Sequence, residues 1–241
     1  MTRTILVTGG GTGIGKAVAA KFAASDAVVH ITGRRKDVLV ATAAELGSSV
    51  RPLVCDSTDP EQVVASLAEL DGPIDVLVNN AGGNADFDLP ERDGLAGVLA
   101  RWRANLDANL ISAVLTTTAV ESRLSEGGSV IHIGSIAADQ GAGSYGAAKA
   151  GLASWNVDLA RRLGAHGITT NVVAPGYIRE TEFFRDKLPA ERAEQLVDAT
   201  CTGRAGIPVD IAETVYFLAS AGARHITGQT LGVNGGAHPS R

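Results

Sequence analysis

Cysteine, aromatic side chains and long apolar runs are what this 241-residue sequence has least of. Its two cysteines, Cys55 and Cys201, stand far apart with no C-x-x-C or C-x-x-H pattern around them. That excludes a disulfide framework and a thiolate metal site, and two buried thiols in a reducing compartment are expected instead. His30, His132, His166, His225 and His238 are scattered and form no H-x-x-x-H, so no metal is expected. His132 lies inside a strand-like run and reads as a packed core residue. The apolar runs are too short for the ~20 residues of a spanning helix, so no membrane association is expected. No charged-then-apolar leader precedes the first strand-like run at Thr4, which points to a cytoplasmic location. Blocks of Lys and Arg are also missing. With a formal charge of −5 and a pI near 5.5, nucleic acid is not an expected partner. No G-x-S-x-G occurs, so a nucleophile-elbow hydrolase is disfavoured.

What is present is aliphatic and glycine-rich. Apolar residues make up 45% and aromatics only 4%, so the core must be built from Val, Ile, Leu and Ala. The 29 glycines suggest tight turns and close backbone approaches. Short β-branched runs at 4–8, 28–32, 50–55, 75–78, 129–134, 169–174 and 230–233 read as strands. Most are apolar almost throughout, as strands buried on both faces are. Helical patterns lie between them, among them 14–24, 38–46, 61–70, 145–165 and 209–219. This alternation predicts an α/β, doubly wound Rossmann-type fold: a seven-stranded, mostly parallel sheet with helices on both faces. No linker or repeat interrupts it, so residues 1–241 are expected to form a single domain. The stretches 83–97 and 176–206 are the least regular, and segments following strands are candidate site walls.

The first strand runs into Thr8-Gly9-Gly10-Gly11-Thr12-Gly13-Ile14-Gly15, and a helix follows. A glycine turn lets the backbone approach a pyrophosphate, and the helix N-terminus offers it free N–H groups. The spacing at this turn is not G-x-G-x-x-G. Gly10 through Gly15-Lys16 comes close to a nucleotide-triphosphate loop, but Ala17 stands where that loop needs Ser or Thr for magnesium. The second strand ends in Gly33-Arg34-Arg35, with no acidic residue at its tip. An acid there would bond ribose hydroxyls, whereas an arginine fork suits a 2′-phosphate. NADP(H) is therefore expected over NAD(H), with Arg34 the better candidate and Arg35 its neighbour. Further on, Asn79-Asn80-Ala81-Gly82 follows the fourth strand and Ser135 the fifth. Tyr145 and Lys149 stand one helical turn apart.

Taken in this order, the motifs resemble the short-chain dehydrogenase/reductase family along nearly the whole chain. The family's T-G-x-x-x-G-x-G is matched by Thr8, Gly9, Gly13 and Gly15. The resemblance implies that Gly9, Thr12, Gly13, Ile14 and Gly15 hold the cofactor pyrophosphate. It also implies that Asp56 bonds adenine, that Asn80, Ala81 and Gly82 line the cofactor, and that Asn79 braces the sheet. Pro175, Gly176 and Ile178 would form the nicotinamide turn, followed by Thr181 one residue later than in many relatives. Tyr145 would be the proton donor. Lys149 would lower its pKa and bond the nicotinamide ribose, so both also touch cofactor. Ser135 would bond the substrate oxygen. Asn109 would hold a water leading from Lys149 to solvent, with Asn105 as a competitor for that role.

The implied activity is hydride transfer between NADP(H) and a ketone or secondary alcohol. The pattern is similar to 3-oxoacyl-carrier-protein reductases and to many alcohol dehydrogenases, and no residue decides between them. An acidic acyl-carrier protein would favour a basic mouth, to which Arg101, Arg103, Arg179 and Arg185 could contribute. Residues 180–188 are expected to form part of a lid, with Phe183 and Phe184 over an apolar substrate. A homotetramer is expected, with the Tyr145 helix and the last strand at interfaces. The alternatives are a dinucleotide-binding sensor without chemistry, or a nucleotide-sugar epimerase, for which the chain is too short.

Overall fold

The computed structural model describes residues 2–89 and 94–239. Seven strands form its sheet: β1 (Thr4–Thr8), β2 (Val28–Gly33), β3 (Val50–Val54), β4 (Ile74–Asn79), β5 (Leu124–Ile133), β6 (Thr169–Pro175) and β7 (Thr230–Val233). Their order is β3-β2-β1-β4-β5-β6-β7. Every pairing is parallel, so the expected "mostly parallel" sheet is wholly so among the described residues. Between the strands run α1 (Gly13–Ala23), α2 (Lys36–Leu46), α3 (Pro60–Ala68), α4 (Gly94–Leu106), α5 (Ser112–Val120), α6 (Ala137–Gln140), α7 (Gly143–Leu163), α8 (Ala190–Asp198) and α9 (Pro208–Leu218).

Alternate residues of β1, β4 and β5 feed two cores. Ile5, Val7, Val76, Val78, Ile131 and Ile133 pack under α1, α2 and α9. Leu6, Leu77 and Val130 pack under α3, α5 and α7, with Val63, Val120 and Leu159. Both faces are apolar because both are covered. The sequence supplies stops as well as patterns: Asp59 caps α3, accepting from the N–H groups of Glu61 and Gln62, and Pro60 stands at its first turn.

The irregular reading of 83–97 and 176–206 needs correction. Helix α4 starts at Gly94, and α8 lies inside the second stretch. Helix α8 is polar on average and buries no residue fully, although its few apolar residues share one face. Residues 90–93 lie outside the described residues. The expectation of two buried thiols also half fails. Cys55 is buried under α3, but Cys201 is exposed, its Sγ 3.5 Å from the carbonyl of Gly236.

Candidate active site

The sheet order reverses between β1 and β4, and the chain leaves both strands at the same edge. This is where an open parallel sheet leaves a crevice. The hydroxyl of Thr8 accepts from the N–H groups of Asn80 and Ala81, each at 3.0 Å. The Asn80 amide donates back to the carbonyls of Thr8 and Gly9, also at 3.0 Å. Asn80 thus splices the glycine turn to the end of β4. Asn79 points into the sheet, donating to Thr117 at 2.8 Å and lying 3.1 Å from Nδ1 of His132. His132 is buried against the Trp155 ring, as a core histidine. Burial, and then the charge of Lys149, push its pKa down to about 3.

The turn fits a bound anion. Thr12 precedes α1 in an extended conformation and gives it no side-chain cap. The N–H groups of Gly13, Ile14 and Gly15 bond to no described residue, so the positive end of the helix dipole is open. Gly15 is needed for the close fold of the turn: a Cβ there would meet the Gly9 carbonyl oxygen at 2.2 Å. Thr181 faces this turn, its Cγ2 3.4 Å from where a Cβ on Gly13 would stand. Pro175, Gly176 and Ile178 lead up to it. They are held by Gly176 N–H to the Val233 carbonyl at 3.4 Å and by a parallel bridge from Ile178 to Gly206.

At the β2 tip the two arginines differ. Arg34 is exposed and makes no hydrogen bond or ion pair among the described residues. Arg35 forks onto Glu182, with nitrogen–oxygen distances of 3.4 and 2.7 Å. Asp56 is half-buried beyond β3 and accepts from both the N–H and the hydroxyl of Thr58.

The catalytic candidates converge. Ser135 is set by its neighbours: Gly134 N–H donates to the Val173 carbonyl at 2.7 Å, and Ile136 N–H to that of Pro175 at 3.1 Å. Tyr145 and Lys149 share the buried face of α7, 7% and 4% exposed. Lys149 Nζ donates to the Ile133 carbonyl at 2.7 Å and lies 5.9 Å from the Tyr145 ring centre. Burial pushes Tyr145 up to about 12, while the neighbouring Ser135 hydroxyl pulls the other way. Burial also pushes Lys149 down to about 8. The expected lowering of Tyr145 by Lys149 does not appear among the influences on the phenol: burial is the largest, and the same burial disfavours the lysine charge.

Asn109 lies in a π-helical turn, Asp107–Ile111, where Ser112 N–H reaches five residues back to the Asp107 carbonyl. Both amide hydrogens and the oxygen of its carboxamide have partners. It accepts from Gly83 N–H at 3.0 Å and donates to the carbonyls of Gly83 at 2.9 Å and Asn105 at 3.0 Å. Gly82 passes so near that a Cβ would stand 2.6 Å from Asn109 Oδ1, and its φ is +149°. Asn105, the competitor, is also buried. It donates to Ser144 Oγ at 2.9 Å and Asp86 at 3.0 Å, and accepts from Ala85 N–H at 2.9 Å.

Phe183 covers Tyr145, ring centre to ring centre 5.6 Å. Phe87 meets Phe183 at 5.9 Å and Phe184 at 5.7 Å, and Tyr177 backs Phe184 at 5.9 Å. Arg185 forks onto Asp88 with two 3.0 Å bonds. Arg179 pairs with Glu180 at 3.3 Å. Two of the four arginines expected to make the mouth basic are thus neutralised.

A family model described as Enoyl-(Acyl carrier protein) reductase matches residues 9–238. The chain is 38% identical over 241 residues to the 3-oxoacyl-[acyl-carrier-protein] reductase of Escherichia coli (strain K12), covering 97% of this chain and 96% of that one. The chain belongs to the short-chain dehydrogenase/reductase family. Two solved structures agree with this. One is a short-chain dehydrogenase/reductase (glucose/ribitol dehydrogenase) from Brucella melitensis: TM-score 0.88, 32% identity, 99% of this chain and 97% of that one. The other is a blue fluorescent protein from a metagenomic library in complex with NADPH: TM-score 0.85, 34% identity, 98% of each chain. This short-chain dehydrogenase/reductase is an oxidoreductase, and the sensor without chemistry is set aside.

Two members of the site escaped the sequence reading, and a third was weighed there only as a rival. Phe87 was the only aromatic residue in the stretch 83–97, which was its one signal. Glu182 sits 147 positions from Arg35, and no local pattern joins them. Asn105 was weighed against Asn109 as if one must replace the other, whereas the two are bonded together.

Proposed function

We propose that residues 1–241 act as one dinucleotide-binding and catalytic unit that reduces a ketone, best a 3-oxoacyl thioester, with NADPH. The observation that carries this is the buried pair Tyr145 and Lys149 beside Ser135, under an aromatic cover. The 3-oxoacyl reductase named above supports the substrate class, and the NADPH complex supports the cofactor. Arg34 and Arg35, with no acid at the β2 tip, favour the 2′-phosphate form. The open N-terminus of α1, with Gly9, Thr12, Gly13, Ile14 and Gly15, would hold the pyrophosphate. Asp56 would take the adenine end. Asn80, Ala81 and Gly82 would line the middle, and Pro175, Gly176, Ile178 and Thr181 the nicotinamide end.

A bound nicotinamide supplies the hydride for the carbonyl carbon. The protein's part is the proton and the geometry. Tyr145 is protonated at neutral pH, as an ordinary tyrosine is, and burial, which raises it to about 12, keeps it so to higher pH. That is the form a reduction needs, since the forming alkoxide takes its proton from the phenol. Ser135 bonds the substrate oxygen and sets its angle to Tyr145. Lys149, part neutral and part charged near pH 8, bonds the nicotinamide ribose and passes the replacement proton toward Tyr145. Asn109 contributes a water through its main chain, because its carboxamide is spent on Gly83 and Asn105.

A homotetramer in the cytoplasm completes the reading. Leu95, Val98, Leu99 and Trp102 are exposed at helical spacing on α4, which lies beside α7. Such an apolar stripe suits a subunit contact, and sedimentation would return a monomer mass if it were wrong. The activity is tested by following NADPH oxidation with 3-oxoacyl thioesters, simple ketones and enoyl thioesters. Turnover of the 3-oxoacyl series is expected; preference for enoyl thioesters would overturn the substrate class.

A further inference from the structure

The aromatic cover of Tyr145 is tied down by two ion pairs and by a Lys187 bond to the Phe87 carbonyl, and one of the ion pairs lies at the cofactor end of the site. Glu182 forks onto Arg35 at the tip of β2, and its neighbour Phe183 lies on the Tyr145 ring. On the other side, Arg185 forks onto Asp88 beside Phe87, and the Glu182 carbonyl accepts from Arg185 N–H at 3.2 Å. At and around these ties the backbone is forced. Glu180, Arg185 and Asp186 all have positive φ, at 62°, 51° and 56°, although none is glycine. Such residues keep that conformation only while surrounding contacts hold them.

We infer that Glu182 senses the cofactor's 2′-phosphate and couples it to the segment over Tyr145. The inference rests on the NADP(H) reading above. Glu182 and Arg35 are both about half exposed, 54% and 55%, so an incoming anion can reach the pair. A 2′-phosphate carries close to two negative charges and a tripod of acceptor oxygens, so it outcompetes a carboxylate for the Arg35 fork. The displaced Glu182 carboxylate is then left beside a dianion and repelled by it. The ion pair at the cofactor end is lost, and Phe183 is freed to lift from Tyr145. NADH has only ribose hydroxyls at that place, which leave the Arg35–Glu182 pair in position. The order of events follows: the phosphorylated cofactor enters first and opens the way for the ketone. Because an exposed ion pair is weak, the coupling is modest, about two- to five-fold. It is also reciprocal: removing the Glu182 charge tightens NADPH by the factor that NADPH loosens the segment.

The test uses the full-length protein with and without Glu182→Gln. Affinities for NADPH and NADH are measured by nucleotide fluorescence. Tryptic cleavage after Arg185 is followed with each nucleotide at matched saturation. In the parent protein NADPH is expected to speed that cleavage about two- to five-fold over NADH. Glu182→Gln should cleave alike with both nucleotides, bind NADPH about two- to five-fold more tightly, and leave NADH unchanged. Equal cleavage with the two nucleotides in the parent, or unchanged NADPH affinity in the variant, would overturn the sensor while leaving the reductase reading intact. Failure of the parent to bind NADPH would overturn both.

Discussion

Helix α7 and the segment following β6 meet at the ring of Tyr145, but they hold their places by different means. Helix α7 carries Tyr145 and Lys149 on a face that is buried along its length, from Ser144 to Leu163. The segment carries Phe183 on a strained backbone held by exposed ion pairs. The first is a packed wall that sets charge states; the second is a cover with weak fastenings. Catalysis needs both, because proton transfer needs fixed geometry and substrate entry needs something that moves.

The comparison predicts unequal damage. Tyr145→Phe removes the proton donor and nothing that fastens the helix. Its kcat should fall by about 10²- to 10⁴-fold with unchanged unfolding temperature and NADPH affinity. A variant keeping a near-parental rate would sink the role of the phenol.

Lys149→Met sharpens the same contrast through stability. Burial lowers Lys149 from its ordinary 10.5 to about 8, so folding binds fewer protons than the unfolded chain between those values. The cost of burying the charge is full below pH 8 and fades as pH rises to 10.5. The methionine variant should lose turnover yet gain about 1–3 kcal/mol of stability near neutrality. That gain should shrink toward pH 10.5 in denaturant titrations; a variant that is less stable at every pH would contradict it.

The pH profile follows from Tyr145. With the phenol raised to about 12, reduction should stay flat through neutral pH. The reverse oxidation, which needs the phenolate, should climb with pH. A reductive rate falling near pH 8 would follow Lys149, which titrates there, whereas one already falling below pH 7 would mean that bound cofactor lowers Tyr145 far more than its protein surroundings raise it. The smallest effect belongs to the cover. Phe183→Ala should raise KM for an apolar ketone by about three- to thirty-fold, with kcat less affected. A change confined to kcat would place Phe183 among the groups that orient Tyr145.

Much of the packed wall was readable from local pattern. Tyr145 and Lys149 share a face because helical spacing puts residues four apart together. Strand β1 and the glycine turn were readable because β-branched residues and glycines act on their own backbone. Helix boundaries shifted by only one or two residues, since caps such as Asp59 and Pro60 are local too. The cover was readable only as an irregular stretch containing two phenylalanines. Its partners, Arg35, Phe87 and Asp88, lie about 100 or more positions away along the chain.

The sequence by itself determined the alternation of strands and helices, the family, the placing of Tyr145 and Lys149 on one helix face and the absence of an acid at the β2 tip. These depend on residue type and short spacing, which a linear chain carries intact. Only the tertiary structure decided that Arg35 is held by Glu182 while Arg34 is not, that Asn109 spends its carboxamide on Gly83, and that Tyr145 is raised rather than lowered. Each depends on which distant groups fold against a residue and how much water they displace. Desolvation and ion pairing fall off over a few ångströms of space, whatever the distance along the chain.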